Sequence, residues 1–199
     1  LSGISIDYAV LTSFSQDHLD YHKSIEKYGN AKKILFKELQ PKHSFIQIDS
    51  EFGLSLYEDL VENKAEVFSV SLEKKSDFSA LFNKTDDSLD VYLKSPYGET
   101  EFNLRTVSRY IASNVICSIA ALSVEGVKLD KLAKCASEIS FPAGRLESIR
   151  IGKDICYVDY AHTPEALKHA LNEIREFYTG EIWCVFGCGG DRDKEKRPI

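Results

Sequence analysis

Residues 155–186 constrain the fold more than any other part of the chain. Residues 155–159 (ICYVD) form a short apolar run of the buried-strand type. Thr163 then stands where an N-cap belongs, Pro164 suits the first helical position, and Glu165 favours the positive end of a helix dipole. Ala166, Leu167, Ala170, Leu171, Ile174 and Phe177 share one apolar face at helical spacing. Gly180 ends the unit, and residues 181–186 (EIWCVF) are a second buried-type run. Strand, helix and strand within roughly 30 residues predict a βαβ unit with a parallel pair, since parallel strands need a crossover. The expected fold class is α/β.

The remainder fits that class. Residues 4–14, 44–48 and 67–72 read as strands, and residues 55–61 as a short helix. Residues 74–90 are polar, with edge strands expected around 78–82. Residues 90–94 and 101–104 flank Pro96-Tyr97-Gly98-Glu99, a hairpin-turn signal. Residues 106–124 predict a helix that is apolar nearly all round and therefore buried. Gly126 is placed to cap its end, and residues 129–139 form a shorter amphipathic helix. Pro142 and Gly144 mark a boundary between two units. The sequence contains no internal repeat.

Residues 17–32 (DHLDYHKSIEKYGNAK) concentrate the chemistry. They follow a strand, where ligands of open parallel sheets bind. Ser24 is placed as an N-cap for a helix whose Ile25, Tyr28, Lys32, Leu35, Phe36 and Leu39 lie on one stripe, with Ile34 pointing away. Lys32 thus falls among apolar neighbours. Two readings follow from the pattern: a stem that is buried with its head in water, or a desolvated amine that is neutral, nucleophilic and open to carbamylation. His18 and His22 have HxxxH spacing, but Leu19 replaces the glutamate of HExxH, so a zinc site is not supported.

Composition excludes several classes. The 199 residues carry a net charge of -6 and no basic cluster, which disfavours a nucleic-acid partner. No apolar run reaches the roughly 18 residues of a membrane span, and no secretory signal is present. The five cysteines form no CxxC pair and read as small buried residues of a reducing, cytoplasmic protein. With no methionine and a start at Leu1, the sequence is expected to be a piece of a longer protein. It contains no GxxxxGK[ST] phosphate loop.

DHLDYH followed by YGNAK resembles the central ATPase domain of the Mur ligases, which build the peptide of bacterial cell-wall precursors. The resemblance continues in Ser108-Arg109-Tyr110-Ile111-Ala112-Ser113-Asn114, in Gly144-Arg145-Leu146-Glu147, in DYAHTPEAL and in GCGGDRDKEKRP. It implies the later part of a central ATP-binding domain at 1–144, then the start of a Rossmann-like C-terminal domain at 145–199. It also implies that His18 and a carbamylated Lys32 (N6-carboxylysine) hold magnesium at the phosphates of ATP. By the same resemblance Asn114 lies near the adenine and Arg145 reaches the phosphates. Asp159 holds the ribose hydroxyls, His162 lies near the nucleotide, and Arg192 contacts the carboxylate of the incoming amino acid. Ser108 and Ile111 depart from the family pattern, which has glycine and asparagine there. The residues alone also allow a backbone-bonding role for Asn114 and an Arg145–Glu147 ion pair.

GCGGDRDKEKRP points to the branch that adds the third amino acid, diaminopimelate or lysine, to a UDP-MurNAc-dipeptide through an acyl phosphate. The whole protein is then expected to be a cytoplasmic monomer, and the 199-residue piece inactive by itself. A folate polyglutamylating ligase and a catalytically dead assembly module are the alternatives.

Overall fold

The computed structural model describes residues 3–15, 19–85 and 87–187, with the backbone alone for residues 19 and 20. Four strands pair in parallel: β1 (Tyr8–Leu11), β2 (His43–Gln47), β3 (Val67–Ser71) and β4 (Phe78–Lys84). β5 (Leu89–Ser95) and β6 (Gly98–Leu104) extend the sheet as an antiparallel meander, giving the order β1-β2-β3-β4-β5-β6. The β5–β6 turn has Ser95 opposite Gly98, whose φ of +123° favours glycine.

β2 explains the layering. Phe45 and Ile46 are fully buried, and alternation along a strand sends them to opposite faces. Phe45 joins Val70, Phe78, Leu93 and Ile116; Ile46 joins Leu11, Phe36, Leu56 and Leu60. Each such burial contributes roughly 1.5–3 kcal/mol. After the single turn α1 (Leu19–His22), helices α2 (Ile25–Lys37) and α3 (Glu51–Glu62) cover the Ile46 face. Helices α4 (Arg109–Val124) and α5 (Leu129–Glu138) cover the other. The result is a three-layer α/β/α unit.

Local signals set the helix starts. Ser24, Ser50 and Ser108 each accept a hydrogen bond from the backbone N–H three residues on, at 3.2, 3.0 and 3.3 Å. Each such cap contributes about 1 kcal/mol. Gly53 lets α3 begin against the end of β2, since a Cβ there would lie 2.0 Å from the Gln47 carbonyl oxygen.

The second unit differs from the sequence expectation. β7 (Glu147–Ile151) and β8 (Asp154–Val158) form an antiparallel hairpin, followed by α6 (Pro164–Phe177). Thr163 caps α6 by accepting from the Ala166 N–H at 3.2 Å. Residues 181–187 carry no regular structure, and Trp183 and Val185 are 87% and 99% exposed. The expected parallel partner of β8 is therefore absent among the described residues. An apolar run holds as a buried strand only when its edges are paired and its faces covered, and the described residues do neither here. The hairpin partner β7 needs only the Gly152 turn, at φ +63°.

The cysteines need a correction too. Cys117 is buried in α4 and burial pushes its thiol up to about 12, but Cys135, Cys156 and Cys184 are exposed, and Cys188 lies outside the described residues.

Candidate functional site

The loop leaving the carboxyl end of β1 is pinned by aromatic packing. Phe14 stacks on Phe52 of α3 at 3.8 Å and on Tyr28 of α2 at 5.3 Å between ring centroids. Tyr28 in turn carries Lys32, whose Nζ lies 5.2 Å from the ring centroid. Lys32 is exposed, which corrects the expectation that it lies within a buried stripe. The buried side of α2 runs instead through Gly29 and Phe36, with Lys33 half-buried between them and its Nζ 5.6 Å from the Phe52 ring. Gly29 sets this rotation by lacking a side chain where Phe52 packs, for a Cβ there would lie 2.8 Å from the Phe52 ring. Ile34 points away as expected. His18 and Arg192 lie outside the described residues.

Beside this loop, Asp49 ties the ends of β2 and β3 together. Its carboxylate accepts from the Ser71 hydroxyl, from the Leu72 N–H at 3.0 Å and from the Gln47 amide at 2.5 Å. Asn114 is exposed on α4, and its backbone carbonyl accepts from the Ser118 hydroxyl at 2.9 Å. Its side chain makes no hydrogen bond among the described residues. Ser108, a departure from the family pattern, has a structural role as the cap of α4.

A second cluster forms where the two units join. Arg145 stands between two residues in the left-handed region, Gly144 at φ +71° and Leu146 at φ +47°. A non-glycine residue in that region costs roughly 1–2 kcal/mol, so the turn must be held by other contacts. Asp159 supplies one: its Oδ2 accepts from the Leu146 N–H at 2.9 Å and its Oδ1 from the Ala161 N–H at 2.8 Å. Glu147 supplies another, accepting from the Gly144 N–H at 2.9 Å. None of the ion pairs among the described residues involves Arg145, so the Arg145–Glu147 pair allowed by the sequence does not form. The guanidinium lies 5.1 Å from the centroid of the Tyr160 ring. His162 packs edge-on to the same ring, with Nδ1 3.0 Å from the Tyr160 carbonyl oxygen. Arg145, Asp159 and His162 are thus gathered at one turn. No hydrogen bond, ion pair or ring contact joins Lys32 or Asn114 to it among the described residues.

Sequence reading missed Glu173. It is 7% exposed, and its Oε1 accepts from the N–H groups of Arg109 and Tyr110 at 2.8 and 3.3 Å, so α6 caps the start of α4. Lys84 reinforces this seam by pairing with Glu176. The signal was present, since Glu173 follows Ala170 by three residues and precedes Phe177 by four, a charge on the apolar stripe. Burial pushes its carboxyl above the ordinary 4.5, against hydrogen bonds from Ser108, Arg109 and Tyr110 and the charge of Arg109 that favour the anion. Above 4.5 and up to that raised value, the folded chain holds a proton that the unfolded chain has released. Stability from this group is therefore fully present below 4.5 and is lost as pH rises through the folded value. Glu173→Gln is expected to flatten this part of the profile, read as the difference in melting temperature between wild type and variant from neutrality down to pH 4.5. Identical profiles would contradict it.

A three-layer α/β unit joined through a cation-bearing turn to a second, smaller unit is the architecture of a multidomain α/β protein. The chain belongs to the Mur ligase family. Residues 1–122 match the family model for the Mur ligase middle domain, and residues 144–199 match that for the Mur ligase glutamate ligase domain. The UDP-N-acetylmuramoyl-L-alanyl-D-glutamate–2,6-diaminopimelate ligase of Neisseria meningitidis serogroup B is 36% identical over 100% of this chain. A solved structure of a ligase of that name is 30% identical, covers 98% of this chain and 41% of its own, and has a TM-score of 0.74. A complex titled FPGS-AMPPCP-folate covers 91% of this chain and 45% of its own at a TM-score of 0.74; its 14% identity speaks to the fold alone. The chain spans 42% of the length of the Neisseria relative. No helix among the described residues is long and apolar enough to cross a membrane.

Proposed function

We propose that the whole protein is an ATP-dependent amide ligase that adds diaminopimelate, or lysine in its place, to UDP-MurNAc-L-Ala-D-Glu. The observation that carries this reading is the 36% identity, along the entire chain, to a ligase named for diaminopimelate. In this reading residues 1–144 belong to the central ATP-binding domain and residues 145–199 to the C-terminal domain. The dipeptide carboxylate attacks the γ-phosphate of ATP, giving an acyl phosphate and ADP. The amino acid's amine then attacks the acyl carbon, and phosphate leaves as the amide forms.

The catalytic need is to hold phosphoryl oxygens while charge develops on them. Arg145 suits this because its guanidinium offers a fork of donors matched to phosphate. Asp159 uses one acceptor site on each oxygen for backbone N–H groups, and a carboxylate has about four such sites. Two ribose hydroxyls can therefore be held without disturbing the turn. Asn114 offers its free amide to the base, and His162 lines the nucleotide side of the turn. Arg192 receives the carboxylate of the amino acid.

The exposed Lys32 amine is open to carbon dioxide, and the resulting carbamate presents the oxygen ligands a hard cation takes. In this reading Lys32 as carbamate, together with His18, which lies outside the described residues, would hold magnesium. Bound there, magnesium would neutralise phosphate charge.

The test supplies the whole protein with ATP, UDP-MurNAc-dipeptide and either diamino acid. Phosphate release is expected only when all three are present, and none with a folate substrate. Turnover with folate would support the polyglutamylating alternative, and failure to bind ATP would support an assembly module. The 199-residue chain, without a GxxxxGK[ST] loop, is expected to show no turnover alone; any phosphate release by a pure sample would contradict this.

A further inference from the structure

The junction turn brings together a cation and two carboxylates, yet they do not pair. Glu147 is engaged by the Gly144 N–H, and both oxygens of Asp159 are engaged by the Leu146 and Ala161 N–H groups. The Arg145 guanidinium lies instead against the Tyr160 ring, 5.1 Å from its centroid. The choice of partner has a consequence. A carboxylate would take up two of the guanidinium's donors and cancel its charge. A ring attracts the cation through its quadrupole but presents no lone pairs in competition, so five N–H donors and a full positive charge remain for an anion.

The geometry around Arg145 is otherwise permissive. Both flanking residues sit at positive φ, and Arg145 itself is exposed. Arginine also has a long side chain with much rotamer freedom to lose on binding. Tyr160 is itself 65% exposed, so its ring adds little to the core. His162 packs edge-on to that ring, which limits where the ring can swing.

We propose that Tyr160 is a positioning residue: its ring holds the Arg145 guanidinium in place, charged and unpaired, for the phosphates of the nucleotide. This rests on the reading that Arg145 contacts those phosphates. The ring acts and the hydroxyl does not, for no hydrogen bond to the hydroxyl forms among the described residues.

The experiment measures KM for ATP and kcat in the whole protein for Tyr160→Ala, Tyr160→Phe, Arg145→Ala and the double variant Tyr160→Ala/Arg145→Ala, with melting temperature as a control. Tyr160→Ala is expected to raise KM for ATP about two- to fivefold, the size of one exposed cation–π contact. Its kcat is expected within about twofold of wild type and its melting temperature unchanged, since an exposed ring carries little stability. Tyr160→Phe is expected to behave as wild type. In the Arg145→Ala background, removing the ring is expected to add nothing. If Arg145→Ala raises KM and Tyr160→Ala does not, the positioning role is overturned while the phosphate reading stands. If Arg145→Ala leaves KM unchanged, the phosphate reading itself fails and takes the positioning role with it. If the two single effects add in the double variant, Tyr160 acts on the nucleotide directly and the proposal is overturned.

Discussion

Arginine in place of Lys32 is expected to lower turnover of the whole protein about a thousandfold while leaving stability within about 0.5 kcal/mol of wild type. Lys32 is exposed, and the contact its amine makes is with the Tyr28 ring at 5.2 Å. Arginine keeps the positive charge, stacks on a ring at least as well and is as good a helix former. What it cannot do is lose its proton, so it cannot take up carbon dioxide as a neutral amine can. The substitution therefore separates carbamate chemistry from every structural role. Steady-state ADP release and a denaturation curve measure the two quantities. Wild-type turnover in Lys32→Arg would remove Lys32 from the proposed magnesium site.

Asp159→Ala carries the second large effect. It is expected to raise KM for ATP roughly 10- to 100-fold, corresponding to about 1.4–2.8 kcal/mol of nucleotide binding. It also removes the acceptor for the Leu146 N–H and the Ala161 N–H. Leu146 then loses a contact that holds it at φ +47°, and the turn at residues 144–147 is expected to become more sensitive to limited proteolysis. Asp159→Asn is expected to fall between, because an amide keeps one acceptor oxygen and sets an NH2 donor against the other N–H. A variant with wild-type KM and a loosened turn would show that Asp159 is a clip for the junction and not a ribose ligand.

These residues also show what could be read from the chain and what could not. Ser24, Thr163 and Pro164 were legible because a helix start depends on residues three or four apart. The 106–124 helix was legible because an all-round apolar pattern leaves it one place to go, against the sheet beside α5. The β5–β6 hairpin was legible from its turn. β7 was not: residues 147–151 are exposed throughout and have no burial pattern to read. The 181–186 run failed for the opposite reason. Its pattern states what a strand needs on both faces, but pairing depends on residues distant in sequence. Lys32 shows the limit of helical wheels, because one glycine, Gly29, turned the buried side of α2 toward Lys33. Of the residues singled out from the sequence, Arg145, Asp159 and His162 lie at one turn. The ring that Arg145 rests on was not singled out, since Tyr160 reads as an ordinary exposed aromatic until the backbone brings the two together.

The measurement that tests the ligase reading most directly follows oxygen through the reaction. UDP-MurNAc-dipeptide labelled with oxygen-18 in its reacting carboxylate is turned over by the whole protein with unlabelled ATP and diaminopimelate, and the released phosphate is analysed. An acyl phosphate passes one carboxylate oxygen to the departing phosphate, so the account predicts one label in each phosphate released and the other retained in the new amide. Phosphate without label, or AMP in place of ADP, would contradict it.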